Sequence, residues 1–329
     1  MRALSWLNGA GALCALGVSA LLLPAPPPGE DPTLLASAAS TEVELSEAGE
    51  RGLRDAQGVF VPLGRYERIV SGSTVADSLL FAMSEPDRVL AFTEYGLTRS
   101  IKRHLYGHKP GVVRLGRIED LISLEPDLVL VNSLRRPDRV RRMREAGLRV
   151  FDLGEMRGLS TLLPNIRTVA QLLGAPERGE VLATRFERRM RSVAALLEPE
   201  DRVSGIYLSV FGSTLLGGTD GSSLHDVLTA AGVIDSAAER YEGWPRYTPE
   251  QLLELDPEMI VTQTGMRTSL CTFPGLAQLR ACVCRGRILE IDSGTISDPS
   301  LTMLDTAELI YDATQAPELK RALQTCRDP

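Results

Sequence analysis

Residues 119–132 read Glu-Asp-Leu-Ile-Ser-Leu-Glu-Pro-Asp-Leu-Val-Leu-Val-Asn, and residues 250–263 read Glu-Gln-Leu-Leu-Glu-Leu-Asp-Pro-Glu-Met-Ile-Val-Thr-Gln. Glutamate, two leucines and proline coincide in register, and the acidic and apolar positions around them match. Each copy encodes a short helix, a proline stop and an apolar strand of the kind buried on both faces. The second copy begins 131 residues after the first, too far for a solenoid, whose repeats run about 20–50 residues. Two similar α/β lobes accommodate both copies.

Short apolar runs bounded by turn residues alternate with helix-period segments from about Asp55 onward. Arg68-Ile69-Val70, Arg88–Phe92, Asp127–Val131 and Arg149–Leu153 read as strands, Thr74–Met83 and Pro137–Ala146 as helices. Such alternation predicts parallel sheets covered by helices on both faces. Between the two copies, Pro176 to Leu197 reads as one helix, with proline in its first turn and Val181, Leu182, Phe186, Met190, Val193, Ala194 and Leu197 on one face. It would reach about 33 Å, enough to span from one lobe to the other and to resist wide hinge opening. The expected fold class is α/β, two Rossmann-like lobes with parallel sheets joined by one long rigid helix. The expected division is a signal peptide or signal anchor over 1–38, a linker over 39–54, an N-terminal α/β lobe over 55–175, the lobe-spanning helix over 176–198 and a C-terminal α/β lobe over 199–329.

Met1-Arg2 precedes an apolar run from about Leu4 to Leu23, which Pro24-Ala-Pro-Pro-Pro28 ends. That pattern reads as a secretory signal, with Ala36-Ser37-Ala38 as a cleavage site. An uncleaved anchor is the alternative, because about 20 apolar residues just span a bilayer. Cys14 is a poor lipid-attachment site, lying inside the apolar run after Leu13. The Pro-, Ala-, Ser- and Glu-rich stretch over 24–50 reads as a linker lifting the folded part off the membrane. Cys271, Cys282, Cys284 and Cys326 permit up to two disulfides, with three possible pairings. Cys-x-Cys without a nearby histidine is not a zinc-ribbon spacing. With 36 basic and 43 acidic residues the net charge of −7 argues against nucleic acid as a partner. A mean hydropathy of −0.02 excludes a polytopic membrane protein.

Asp55-x-x-Gly58 leads to Arg68-Ile-Val70, a helix and Arg88-Val-Leu90. Glu119-x-Leu-Ile-x-Leu-x-Pro126-Asp-Leu-Val129 follows, and then Gly217-Gly-Thr-Asp-Gly-Ser-Ser-Leu224 with Ala231-Gly232. In this order and spacing, from about Asp55 to Ala313, the chain resembles the class III periplasmic solute-binding proteins of ABC importers, receptors for cobalamin, haem and iron–siderophore complexes. The resemblance implies a ligand held in the cleft between the lobes, no catalysis and no built-in cofactor. It also implies a monomer in the periplasm or cell envelope, with the permease dimer of an ABC importer as partner. In cobalamin and siderophore receptors a surface glutamate on each lobe docks onto permease arginines, and the matching positions here are Glu119 and Glu250. A two-fold permease presents the same basic patch twice, so two equivalent acidic contacts suit it. For either glutamate alone, the plainer reading is complementing a helix dipole.

In open α/β sheets, ligands gather beyond the carboxyl ends of the strands. After the first strand come Ser71, Gly72, Ser73 and Thr74, opening a helix that could meet an anionic ligand, although N-capping explains them as well. Tyr95 follows the second strand. Ser133, Arg135 and Arg136 follow the next, and arginine can pair a carboxylate in two-pronged fashion. Phe211 follows the Ile206–Val210 strand. Trp244-Pro245-x-x-Thr248-x-Glu250-Gln251 is similar to the run in cobalamin receptors whose tryptophan lines the cleft, and an aromatic wall suits a large conjugated ligand. Arg267 and Asp298 follow later strands. The expected binding set is Ser73, Thr74, Tyr95, Ser133, Arg135, Phe211, Trp244 and Arg267, with no metal ligands of its own. His104 and His108 have i, i+4 spacing, but Gly107 and Pro110 oppose a helix there, and with His225 the histidines fall short of a bare-metal site. Tyr95 or His104 would be the axial ligand of a haem. Ser133 and the Leu115-Gly116 region stand where cobalamin receptors carry lobe-one tryptophans, which favours a ferric siderophore or haem as the metal chelate. The Tyr95–Pro110 segment is also longer and more basic than is usual in the family. An enzyme is set aside because no Gly-x-Ser-x-Gly surrounds Gly72-Ser73. An envelope sensor of the same fold, uncoupled from transport, is the alternative.

Overall fold

The computed structural model describes residues 39, 41–83, 86–98, 100, 103–105, 112–113, 117–132 and 137–325. The expectations for residues 1–38, His108, the Leu115-Gly116 region, Ser133, Arg135, Arg136 and Cys326 lie outside them. Strands β1 (Glu44–Leu45), β2 (Arg51–Arg54) and β3 (Phe60–Pro62) form an antiparallel meander where a linker up to residue 54 was expected. The physical reason is one buried hydrophobic side chain on each of two strands. Leu53 and Val61 join the main core while Arg51 and Arg54 face water, and the exposed–buried–buried–exposed order of β2 has no period-2 signal to stand out in a polar stretch. Asp55 fastens the meander to the first lobe. Its carboxylate accepts from the N–H groups of Gln57, Val59 and Asp152 and pairs with Arg144.

The first lobe continues through β4 (Ile69–Ser71), α1 (Thr74–Met83), β5 (Val89–Thr93), α2 (Glu94–Thr98), β6 (Val112–Val113), α3 (Ile118–Ser123), β7 (Leu128–Val131), α4 (Pro137–Glu145), β8 (Val150–Asp152) and α5 (Leu159–Leu172). Its five strands run parallel in the order β6-β5-β4-β7-β8. Helix α6 (Pro176–Ser192) leads to β9 (Ser204–Tyr207), β10 (Ser209–Phe211), β11 (Thr214–Leu216), α7 (Ser223–Ala230), β12 (Ile234–Asp235), β13 (Arg246–Tyr247), α8 (Pro249–Leu255) and β14 (Met259–Gln263). Then come α9 (Met266–Thr272), α10 (Arg280–Val283), β15 (Ile288–Ile291), α11 (Ser293–Ile296), α12 (Met303–Gln315) and α13 (Pro317–Thr325). The second sheet is also parallel, in the order β12-β9-β14-β15, and β10, β11 and β13 form a small antiparallel sheet beside it.

The repeat folds alike in both lobes. Leu128 and Leu130 of β7 face the main core, whereas Val129 and Val131 face a second cluster with Val140 and Met143. On β14, Met259 and Val261 face the main core and Ile260 faces the cluster of Leu252 and Leu270. Burial on both faces is why these runs are continuously apolar. Glu125 (φ 44°) and Asp256 (φ 37°), each just before the repeat's proline, are the only non-glycine residues with positive φ among the described residues. The backbone turns from helix to strand by the same uncommon left-handed step in both copies.

Helix α6 spans 17 residues, about 26 Å at about 1.5 Å each, rather than continuing to Leu197. After Ser192 the N–H groups of Ala195 and Leu197 bond three residues back, tightening the helix to a close. Its buried stripe is Gly179, Ala183, Phe186 and Met190, and Val181, expected inside, is 68% exposed. The stripe is set by Gly179, where an added Cβ would lie 2.3 Å from that of Ala170, so α5 and α6 pack nearly backbone to backbone. Through α5, α6, α7 and α12 a single core cluster runs from Leu162 and Ile166 to Leu224, Val227 and Met303, so the two lobes share one core. Cys271 and Cys282 join α9 to α10 as a disulfide, and Cys284 is disulfide-bonded as well.

Candidate functional site

Each parallel sheet reverses its strand order once, between β4 and β7 in the first lobe and between β9 and β14 in the second. Loops leaving neighbouring strands there pass to opposite faces and open a crevice at the carboxyl edge. On the second-lobe side, Tyr207 ends β9 and is buried, and its ring meets that of Trp244 edge to face, with centroids 6.3 Å apart. Gln263, ending β14, donates through Nε2 to the Tyr207 hydroxyl at 3.2 Å and to Ser297 Oγ at 3.2 Å. Burial pushes the Tyr207 pKa up, so the phenol stays neutral. Trp244 is 48% exposed, leaving part of its ring available to a ligand.

Phe211 is also exposed, at the β10–β11 turn. The register pairs Phe211 with Thr214 and Leu216 with Arg246, which puts Phe211 and Trp244 at opposite ends of the small sheet. At about 3.3 Å per residue they are on the order of 13 Å apart and do not form one wall. The Arg267 guanidinium donates to the Ile288 carbonyl at 2.8 Å and lies 3.5 Å from Glu290, so it is engaged within its own lobe.

On the first-lobe side, Ser73 Oγ accepts the Ala76 N–H at 3.1 Å and caps α1. The Thr74 side chain is hydrogen-bonded to the buried Asp298 carboxylate of the second lobe. Behind them Asp77 is fully buried, accepting from the Thr93 N–H at 3.0 Å and from the Thr93 hydroxyl. Burial above all pushes its pKa up to about 6, the Ser71 and Thr93 hydrogen bonds oppose the shift, and the facing Asp298 adds to it. A second bond between the lobes runs from the Leu159 N–H to Asp226 Oδ2 at 2.6 Å. Gly158 makes that approach possible, since a Cβ there would sit 2.0 Å from the Asp226 oxygen. Tyr95 is half-buried in α2.

His104 is exposed in a single 3₁₀ turn, Arg103–Leu105. His225 Nδ1 lies 2.9 Å from Asp235 Oδ2, and that hydrogen bond raises the imidazole pKa. Among the described residues no three His, Cys, Asp or Glu side chains are grouped to hold a metal ion. Sequence reasoning missed Tyr207, Gln263 and Ser297. The legible signal was an aromatic ending an apolar strand, but the strand was expected to run to Val210, whereas it breaks after Tyr207.

Glu119 and Glu250 occupy the first turns of α3 and α8, exposed and without an ion pair among the described residues. Each helix runs antiparallel to the strand it precedes, which brings both glutamates to the carboxyl edge of their sheets, the edge of the crevice. The Glu250 carboxyl is held below its usual range by its own N–H and by the Thr248 hydroxyl. Thr248 and Gln251 cap α8 reciprocally.

The family model for periplasmic binding protein matches residues 69–282. The chain belongs to the periplasmic binding protein family. Two parallel-sheet lobes joined by α6 place it in class III of that family. An ABC transporter substrate-binding lipoprotein of Bacillus subtilis (strain 168), YvrC, is 23% identical over 209 residues, 60% of this chain and 66% of its own. A cobalamin-binding protein of Halobacterium salinarum is 22% identical over 245 residues, 71% of this chain and 65% of its own. The chain thus spans just under two thirds of the length of these curated relatives. The periplasmic heme-binding protein RhuT from Roseiflexus sp. RS-1 superposes with a TM-score of 0.62 at 24% identity, over 77% of this chain and 100% of that one. At that identity the likeness to RhuT is one of fold. The periplasmic binding protein family is one of binding proteins, so the crevice is read as a ligand site.

Proposed function

We propose that this protein is an extracytoplasmic solute-binding protein that captures a metal chelate in the crevice between its lobes and delivers it to an ABC importer. The observation that carries this reading is the pair of strand-order reversals, one per lobe, with the Tyr207–Trp244 aromatic pair at the carboxyl edge. A large conjugated or ring-bearing ligand gains apolar contact from the exposed Trp244 face and a neutral hydrogen-bonding group from Tyr207. Ferric siderophores, haem and cobalamin are the ligand class, and the cobalamin-binding and heme-binding relatives support it. Glu119 and Glu250 are the docking pair for a two-fold permease, supported by their matched positions at the carboxyl edges. No catalytic role is proposed.

Trp6 and Trp244 are the two tryptophans of the chain, and a protein freed of its first 38 residues retains Trp244 alone. Its fluorescence, titrated with haem, cobalamin and several ferric siderophores, should be quenched saturably by one of these classes. No binding by any of them, with calorimetry also flat, would refute the assignment. The double variant E119R/E250R should bind that ligand as the wild type does while uptake through the cognate importer fails. Uptake left intact would remove the docking role.

A further inference from the structure

At the edge of the first-lobe sheet away from the crevice lies a cavity of about 750 Å³, lined among others by Arg51, Arg65, Arg88, Gln171 and Pro176. Arg88 immediately precedes β5, and Gln171 and Pro176 flank the turn from α5 to α6, so the cavity sits at the amino ends of the strands. Three arginines line it, and among the described residues no aspartate or glutamate does. Among the described residues the one acid ion-paired with these arginines is Glu67, 4.0 Å from Arg88 Nε and already paired with Arg65. Arg51 has no ion pair among the described residues. The Arg88 side chain is 11% exposed, its Nε donates to the Tyr66 carbonyl at 2.6 Å, and its Nη2 is buried without a partner. A guanidinium enclosed with so little compensation is costly unless a counter-charge completes its surroundings.

The α6 terminus adds to the same field. Pro176 opens this 17-residue helix, and Ala175 before it has no side chain to bond the first N–H groups. A helix start carries about half a positive charge. Glu177, in the first turn, is exposed and is not on the cavity wall.

We propose that this cavity binds a doubly charged oxyanion of the phosphate-monoester class. Three arginines against one glutamate leave two positive charges, which a phosphate monoester matches and a single carboxylate does not. Guanidinium forks also fit its several oxygens. The Gln171 side-chain oxygen, buried without a partner, belongs to the same lining, and a hydroxyl on the organic part of the ester would supply it a donor. The same chemistry comes from a soluble phosphate ester or from a phospholipid headgroup.

The test uses the purified exported protein in phosphate-free buffer, titrated with inorganic phosphate by calorimetry and thermal shift. Sodium chloride at equal ionic strength serves as the control. R51Q and R65Q remove exposed arginines, so folding is preserved, and each should weaken phosphate binding about tenfold or more. R141Q, on the outer face of α4, should leave it unchanged. Flotation with phosphatidylcholine vesicles carrying phosphatidic acid separates the two sources. Wild-type flotation lost in R51Q/R65Q identifies a lipid headgroup, and phosphate binding without flotation identifies a soluble ester. No phosphate binding, or binding equal in R51Q, R65Q and R141Q, overturns the proposal. The Trp244 titration reads the crevice alone, so failure here leaves the ligand assignment untouched.

Discussion

Replacing Asp77 by Asn tests the most heavily buried carboxylate at the junction of the lobes. Asp77 is fully buried, held by the Thr93 N–H and hydroxyl, and its pKa is raised from 3.8 to about 6, chiefly by burial. The native state therefore holds this proton more tightly than the unfolded chain. Its contribution to stability is complete below about pH 4 and is lost as pH rises through about 6. At about 1.4 kcal/mol per pKa unit, the loss is about 3 kcal/mol by neutral pH. Asn keeps the shape and has no proton to lose, and the Thr93 hydroxyl can turn to accept from its NH₂. The core is continuous across both lobes, which favours a single unfolding transition. Urea unfolding of wild type and D77N at pH 4, 5, 6 and 7.5 should show the variant gaining on the wild type by about 3 kcal/mol across the series. In thermal scans the gain should be about 5 °C, at an unfolding entropy of about 2.1 cal/mol/K per residue. A stability difference that does not change with pH would refute the reasoning.

Gly158→Ala should cost about 2–4 kcal/mol, from a side chain forced to φ 89° and a Cβ 2.0 Å from Asp226, whereas Gly147→Ala, at φ 84° with open space, should cost only about 1. Calorimetric melting of the two variants checks this, and equal losses would sink it. His225→Gln should destabilise more at pH 5.5 than at pH 8.5, because the raised pKa stabilises the fold below the unfolded value and that stability is lost as pH rises through the native one; a loss independent of pH counts against it. Cys271→Ser should cost about 3 kcal/mol, judged from a loop of 11 residues. Non-reducing peptide mapping should recover Cys271–Cys282, and a Cys271–Cys284 peptide would contradict that.

Much of the fold was legible because apolar periodicity is a local property. Thr74–Met83 was expected as a helix and is one, residue for residue, and four strands were located to within a residue or two. The meander was not legible, since Leu53 and Val61 acquire their meaning only from a core supplied by residues far along the chain. The inward face of α6 was misjudged for the same reason. Gly179 carries no hydrophobic signal, yet the close passage of α5 made it the centre of the contact. At the crevice, a strand-end tryptophan was readable, but its partner Tyr207 depended on where β9 breaks.

The sequence by itself determined the duplicated helix–proline–strand unit, because helix stops and two-sided strand burial are written in neighbouring residues; the left-handed step before each proline came from the structure. Only the tertiary structure decided what the polar residues do. Ser73 caps a helix, Thr74 bonds across to Asp298, Arg267 is engaged by Glu290, and Arg51, Arg65 and Arg88 gather around one cavity. A hydrogen bond or an ion pair is fixed by distance in space, and residues such as Thr74 and Asp298, remote in sequence, meet only when both lobes have folded onto their shared core.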